Sequence, residues 1–276
     1  MSTDEFESVR AEVDPLRQAR RATDLLSVYQ QRSVELARLR RDAINRAVNS
    51  EGMSFTAVAQ ALGLSKGRIT QIRQTAPPTE RAFFGVGPVA VAVPERLFPG
   101  RPFPVISSED SETSQTLAAI LEGLNFQVQQ TRVPASGDWS IPAGDVVAVC
   151  GPLSSPTMAQ VYATDPLLDF TRHEDGRYWL TDRASGERWG SPMDDQPADT
   201  ADVAYLGRIG RPDGGTMIAI GGIHSIGSLG AATWLRDHLA EVHEATRGER
   251  FSMVVRSTHD GLNITSTEAA CPPRTY

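Results

Sequence analysis

Cysteine is nearly absent from this 276-residue sequence. Cys150 and Cys271 have neither a close partner nor metal-ligand spacing, which excludes a disulfide framework and leaves two idle thiols. No stretch approaches the ~18 uninterrupted apolar residues needed to cross a bilayer. The opening segment, Met1 to Ser8, lacks the basic and then apolar regions of a signal peptide. The expectation is a cytoplasmic protein without a membrane partner. Internal repeats and low-complexity tracts are missing, as are a G-x-S-x-G nucleophile elbow and a paired Cys and His signature. No cofactor is expected.

What is present is an ordinary globular composition, with 40% hydrophobic and 22% charged residues, long enough for two modest domains. The net charge of −7 is unevenly spread. Residues 1–75 hold 12 basic against 9 acidic side chains, and residues 76–276 hold 15 against 25. Within residues 32–75 the balance is 8 basic to 3 acidic. A basic segment on an acidic body fits a protein of which only one end meets phosphates.

From Asp4 to Ser50 there is no glycine and one proline, Pro15, so this part reads as helical. Phe6, Val9, Val13 and Leu16 recur at helical spacing, as do Leu36, Leu39, Ala43 and Ala47. Each run gathers an apolar stripe that must be covered, either by the protein's own domains or by a second copy. Thr75-Ala-Pro-Pro-Thr-Glu80 stops the helical texture. The organisation expected is therefore a helical part at 1–75, a linker at 76–81 and an α/β domain at 82–276. The latter carries strand patterns at Val89 to Val93, Gln127 to Val133, Val146 to Cys150, Val203 to Ile209, Met217 to Gly221 and Phe251 to Arg256. Helices are expected at Glu112 to Leu124, Pro156 to Tyr162 and Leu229 to Thr246. The alternation predicts a Rossmann-like, mainly parallel three-layer domain. Tyr178 to Thr181 and Glu187 to Trp189 read as a β-hairpin inserted into it.

The segment from Ser54 to Arg73 carries a two-helix pattern. Val58, Leu62, Leu64, Ile69 and Ile72 form its apolar inner face, Ala59 allows the helices to cross closely, and Gly63 suits the turn. Ser54 and Ser65 stand where each helix needs an N-cap. The outward face of the second helix then presents Lys66, Arg68, Thr70, Gln71 and Arg73, with Ser65 at its start. Arg68 and Gln71 suit base edges in a major groove, and Lys66 and Arg73 suit phosphates. Val58-Ala-Gln-Ala-Leu-Gly-Leu-Ser-Lys-Gly-Arg-Ile-Thr-Gln-Ile72 resembles the helix-turn-helix of sigma factor region four and related bacterial regulators. The resemblance covers residues ~36–75 and implies binding to double-stranded DNA. It does not extend to a complete sigma factor, because no aromatic promoter-melting region is present. Gly67 departs from a strong reading helix by about 1 kcal/mol relative to alanine.

In the second part, Asp145 to Thr157 reads as strand, loop and helix start. Gly151, Ser154, Ser155 and Thr157 are placed to hold an anion there. Met217 to Ala232 repeats that pattern with a glycine-rich loop, offering Gly222, His224, Ser225 and Gly227. Its spacing is neither the dinucleotide fingerprint nor a P-loop. Asp202 and Arg208 lie near the two ends of one strand, and Arg208 or Arg211 suits a phosphate or carboxylate clamp. Ser107 to Ser111 adds hydroxyl and carboxylate groups suited to a sugar, or a plain helix cap. The two strand-end loops are expected to share a crevice for a small anionic or polar ligand, a nucleotide or nucleotide-derived signal. The competing expectation is a nucleotide- or nucleoside-processing enzyme with a DNA-binding head, using His224 and Asp202 as acid and base. His238 and His243 are five residues apart rather than four, so no zinc helix is expected. Paired reading helices would match half-sites about 34 Å apart, which makes a homodimer the expected assembly.

Overall fold

The computed structural model describes residues 3–276. Helix α1 (Thr3–Arg10) folds back on helix α2 (Pro15–Asn49), where Gln18 Nε2 donates to Val9 O at 3.1 Å. Pro15 takes the first position of α2, and Asp14 caps it by accepting from the amides of Leu16 and Arg17. Phe6 and Val9 of the first apolar run lie on α1 and Val13 in the turn after it, while Leu16 begins α2, which has no interior glycine or proline, runs for 35 residues, about 50 Å, and carries the whole second run. No helix among the described residues is long and apolar enough to cross a membrane.

Two short helices follow, α3 (Phe55–Ala61) and α4 (Lys66–Thr75). Ser54 caps α3 on Ala57 N and Ser65 caps α4 on Arg68 N. Gly63 turns between them at φ +64, a backbone region that side chains disfavour. Val58, Ala59, Ile69 and Ile72 pack with Ile44 of α2 into a small separate core. Leu62 is not part of that core. It ends α3 facing outward and is 50% exposed, while the partly buried Leu64 packs inward.

The rest is a three-layer α/β unit. In chain order it comprises β1 (Val89–Pro94), α5 (Ser108–Gly123), β2 (Val128–Val133), β3 (Asp145–Val149) and α6 (Pro156–Ala163). Then come β4 (Leu168–Arg172), β5 (Tyr178–Asp182), β6 (Arg188–Gly190), β7 (Ala201–Gly210) and β8 (Thr216–Gly222). The chain closes with α7 (Ser225–Thr246), β9 (Phe251–Asp260) and β10 (Asn263–Thr275). The main sheet runs β10-β9-β7-β8-β3-β1-β2. Strands β2, β1, β3 and β8 pair in parallel, whereas β7, β9 and β10 are antiparallel to their neighbours. The antiparallel half follows from tight connections, at Gly214 between β7 and β8 and at Gly261 between β9 and β10, which cannot span a parallel crossover.

Helices α5 and α7 cover one face around Val91, Leu117, Val147, Ile218 and Leu235. The other face holds α6 and the inserted β4-β5-β6 sheet around Met158, Tyr162, Leu168, Leu180 and Tyr205. The expected hairpin is thus β5 and β6 of a three-stranded sheet, with β4 beside them.

The helical part is fastened to this unit at a buried polar junction. A 3₁₀ turn (Thr79–Phe83) follows α4 and carries Arg81, which is wholly buried. Its guanidinium donates to Leu124 O, Val86 O and Gln31 Oε1 at 2.8, 2.7 and 2.7 Å. It also lies 3.6 Å above the Phe126 ring centroid and 3.7 Å from Glu35. Burial lowers the Arg81 pKa to about 10, against the pull of Glu35. Arg38 holds both Glu35 and Asp42, and Arg41 bonds Asp42 and reaches Ala76 O.

Candidate functional site

A crevice of about 630 Å³ opens beyond the carboxyl ends of β1, β3 and β8. The chain leaves β1 for β2 on one side, and β3 joins β1 on the other, so the crevice lies where the strand order reverses. Continuous buried runs of valine, alanine and isoleucine build β1, β3 and β8, and the polar residues after each run are left at the strand ends.

Five of the residues singled out from sequence meet here: Gly151 and Ser154 after β3, and Gly222, His224 and Ser225 after β8. Tyr162 fixes the first loop by donating from Oη to Cys150 O at 2.9 Å. Cys150 itself is buried, and burial pushes its thiol up to about 12, so it is a poor nucleophile. His224 Nε2 lies 2.9 Å from Asp194 Oδ1, on the 3₁₀ turn Pro192–Asp194.

Five others are elsewhere. Ser155 is fully buried, donating to Gly137 O and capping Met158 N, and Thr157 donates to Trp139 O. The segment around Gly137 therefore closes the start of α6, where an anion site was expected. Gly227 lies inside α7, where a side chain would collide with Asp202 and the Val203 carbonyl, so its role is close helix-to-sheet packing. Asp202 is wholly buried and accepts from His224 N and Gly227 N at 2.9 Å each, acting as the cap of α7. Burial raises its carboxyl above the ordinary range, opposed by the neighbouring Ser191 hydroxyl, His224 and the backbone amides. It touches the backbone of His224 while Asp194 holds the ring, so Asp202 is not the acid-base partner of that histidine.

Arg208 is the clearest misplacement. Strand β7 is antiparallel to β8, so its Arg208 end lies away from the crevice, beside Ile218. There the guanidinium donates to Ala82 O and Thr216 Oγ1.

The sequence reading missed several wall residues. Arg96, just past the end of β1, is ion-paired at 2.8 Å with Asp110, whose carboxyl burial pushes upward. Its position beyond a strand end was the available signal. The 107–111 stretch does reach the site through Glu109 and Asp110, with Ser107 as cap of α5. Phe170, Tyr178 and His259 complete the wall, and nothing in their local pattern marked them.

On α4, Lys66, Arg68, Thr70, Gln71 and Arg73 are all exposed, as is the cap Ser65, while Ile69 and Ile72 face inward. Arg68 Nη1 donates to Gln71 Oε1 at 2.7 Å, so the two expected base-reading groups stand side by side. Arg73 is engaged within the protein, donating to Asn45 Oδ1 at 2.8 Å and lying over the Phe55 ring. Thr70 Oγ1 donates to Lys66 O.

Comparison of the chain with protein-family models, with curated proteins and with solved structures found no match.

Proposed function

We propose that the protein is a DNA-binding transcriptional regulator: α3 and α4 form a helix-turn-helix, α4 reads the major groove, and the Rossmann-like α/β unit senses a small polar ligand of the nucleotide-derived class. The observation that carries this reading is the division of α4. Its apolar residues are spent on the core with Ile44, and Lys66, Arg68, Thr70 and Gln71 are exposed on the opposite side, bonded only within α4 itself.

Helix α7 supports a route between the two sites. It begins in the crevice at Ser225 and packs against the 3₁₀ turn Thr79–Phe83 at the end of the linker. Over 22 residues it spans about 33 Å. Midway, His238 leaves helical geometry (φ −124, ψ 16) and stacks on Trp234 at 4.7 Å, so the helix has a joint as well as a shaft. A ligand regulates through such a helix only if it favours one arrangement of its two ends.

A second copy completes the reading. Leu36, Leu39 and Ala43 are exposed at helical spacing on α2, next to the reading head, and a homodimer would cover them.

The test is selection of randomised duplexes by the purified protein, followed by anisotropy titration of the enriched sequence. Arg68→Ala should lose about 1–3 kcal/mol of sequence discrimination. Lys66→Ala should weaken all duplexes alike and lower the salt slope by about one. Failure to enrich any sequence would sink the regulator reading. The His224–Asp194 pair at the crevice favours a second reading, a nucleoside-processing enzyme with a DNA-binding head, which a turnover assay on His224→Ala addresses.

A further inference from the structure

We propose that the crevice takes an uncharged nucleoside and discriminates against its phosphorylated forms. The inference rests on the crevice being the ligand site and is independent of whether α4 binds DNA.

Charge is the first ground. A phosphate group on an α/β sheet is normally met by open helix starts. Here Ser155 and the carbonyl of Gly137 close the start of α6. The start of α7 already carries a carboxylate, that of Asp202, on the amides of His224 and Gly227. The lining holds one arginine, Arg96, and two carboxylates, Glu109 and Asp110. Arg96 is neutralised by Asp110 at 2.8 Å. A phosphate entering this site meets the carboxylates of Glu109 and Asp110, with the lining arginine already paired and His224 held by Asp194.

Unsatisfied polar groups are the second ground. Among the described residues the Glu109 carboxylate has no side-chain hydrogen bond or ion pair, and the hydroxyls of Ser154 and Ser225 have no partner. His259 also lines the wall, with Nδ1 engaged at Gly261 O. These groups call for a ligand rich in hydroxyl and N–H donors with acceptors of its own, as a ribose and a base supply. The flat side chains of Phe170 and Tyr178 line the same cavity, giving a ring system an apolar wall. A volume of about 630 Å³ falls within the range of small-molecule sites.

Calorimetric titration of the full-length protein with adenosine, guanosine, cytidine and uridine, and with their mono- and triphosphates, tests this. At least one nucleoside is expected to bind, its monophosphate at least about tenfold more weakly and its triphosphate more weakly still. Nucleoside affinity should stay within about twofold as salt rises from about 50 to about 500 mM. Glu109→Gln should weaken binding about tenfold at an unchanged melting temperature, and Ser154→Trp should block the cavity. Tighter binding of a phosphorylated form, lost in Ser154→Trp, would overturn the selectivity and leave the crevice as ligand site. Binding of none of the twelve compounds would overturn the proposal together with the nucleotide-derived class of ligand.

Discussion

Arg81 is the residue on which the joining of the two parts can be tested most sharply. Replacing it by leucine keeps similar bulk over Phe126 but removes donors to Leu124 O, Val86 O and Gln31 Oε1. Each buried acceptor left without a donor costs about 1–3 kcal/mol, while the desolvation of the guanidinium is recovered. Glu35 keeps Arg38 at 2.5 Å, so that carboxylate is not stranded. The net expectation is a loss of about 3–5 kcal/mol, a large share of the roughly 5–15 kcal/mol of a typical domain. Urea unfolding at neutral pH, followed by far-ultraviolet circular dichroism, measures it. Gln31→Leu should cost about 1–2 kcal/mol alone, and the double variant less than the two losses together, because both remove one hydrogen bond. A loss below about 1 kcal/mol for Arg81→Leu would refute the junction as the fastening between helical head and α/β unit.

Three further expectations follow. Leu36→Glu with Leu39→Glu should halve the mass measured by light scattering and weaken duplex binding; an unchanged mass would mean that this stripe is not the dimer contact. Asp182 is held down to about 2, chiefly by the Ser185 amide and also by Arg274 and the Ala184 amide, against burial. Its folded pKa lies below the unfolded value, so its contribution is present above about pH 4 and is lost as the pH falls towards 2. The melting temperature of the native protein should therefore fall more steeply over that window than that of Asp182→Asn. Gly230→Ala places a methyl group against Ser257 of β9. Overpacking of about 1–3 kcal/mol should exceed the gain of about 1 kcal/mol in helix propensity, for a net loss in thermal unfolding.

How far the fold could be read in advance varied with the source of each element's stability. Strands β1, β3 and β8 are buried on both faces, and their unbroken apolar runs announce them. Strand β10 is an edge strand of mostly exposed Ser, Thr and Glu with Pro272 and Pro273 inside it, so β9 rather than its own pattern makes it a strand. The start of α7 shows the same dependence on tertiary contact. Gly227 read as loop, yet it is helical, because only glycine lets the helix approach Asp202 and the Val203 carbonyl on β7. Gly63 and the two serine caps, by contrast, act within a few residues and were legible from their neighbours.

The site divides along a similar line, and the division bears on what the crevice can bind. Gly151, Ser154, Gly222, His224 and Ser225 follow strands whose direction was evident, so the rule that ligands sit beyond carboxyl ends located them. Asp202 and Arg208 sit on a strand whose direction was not. Because β7 is antiparallel, Arg208, the cation expected at a ligand, is at the far end. Asp202, expected at the ligand, lies beneath α7. Arg96, which does line the crevice, comes with Asp110 already bound to it. A sequence counted as glycine-rich loops and arginines favours an anion. Once strand direction and ion pairing are included, the same residues give a crevice whose arginine is already paired, which is the ground for proposing a ligand held by hydrogen bonding and ring contact.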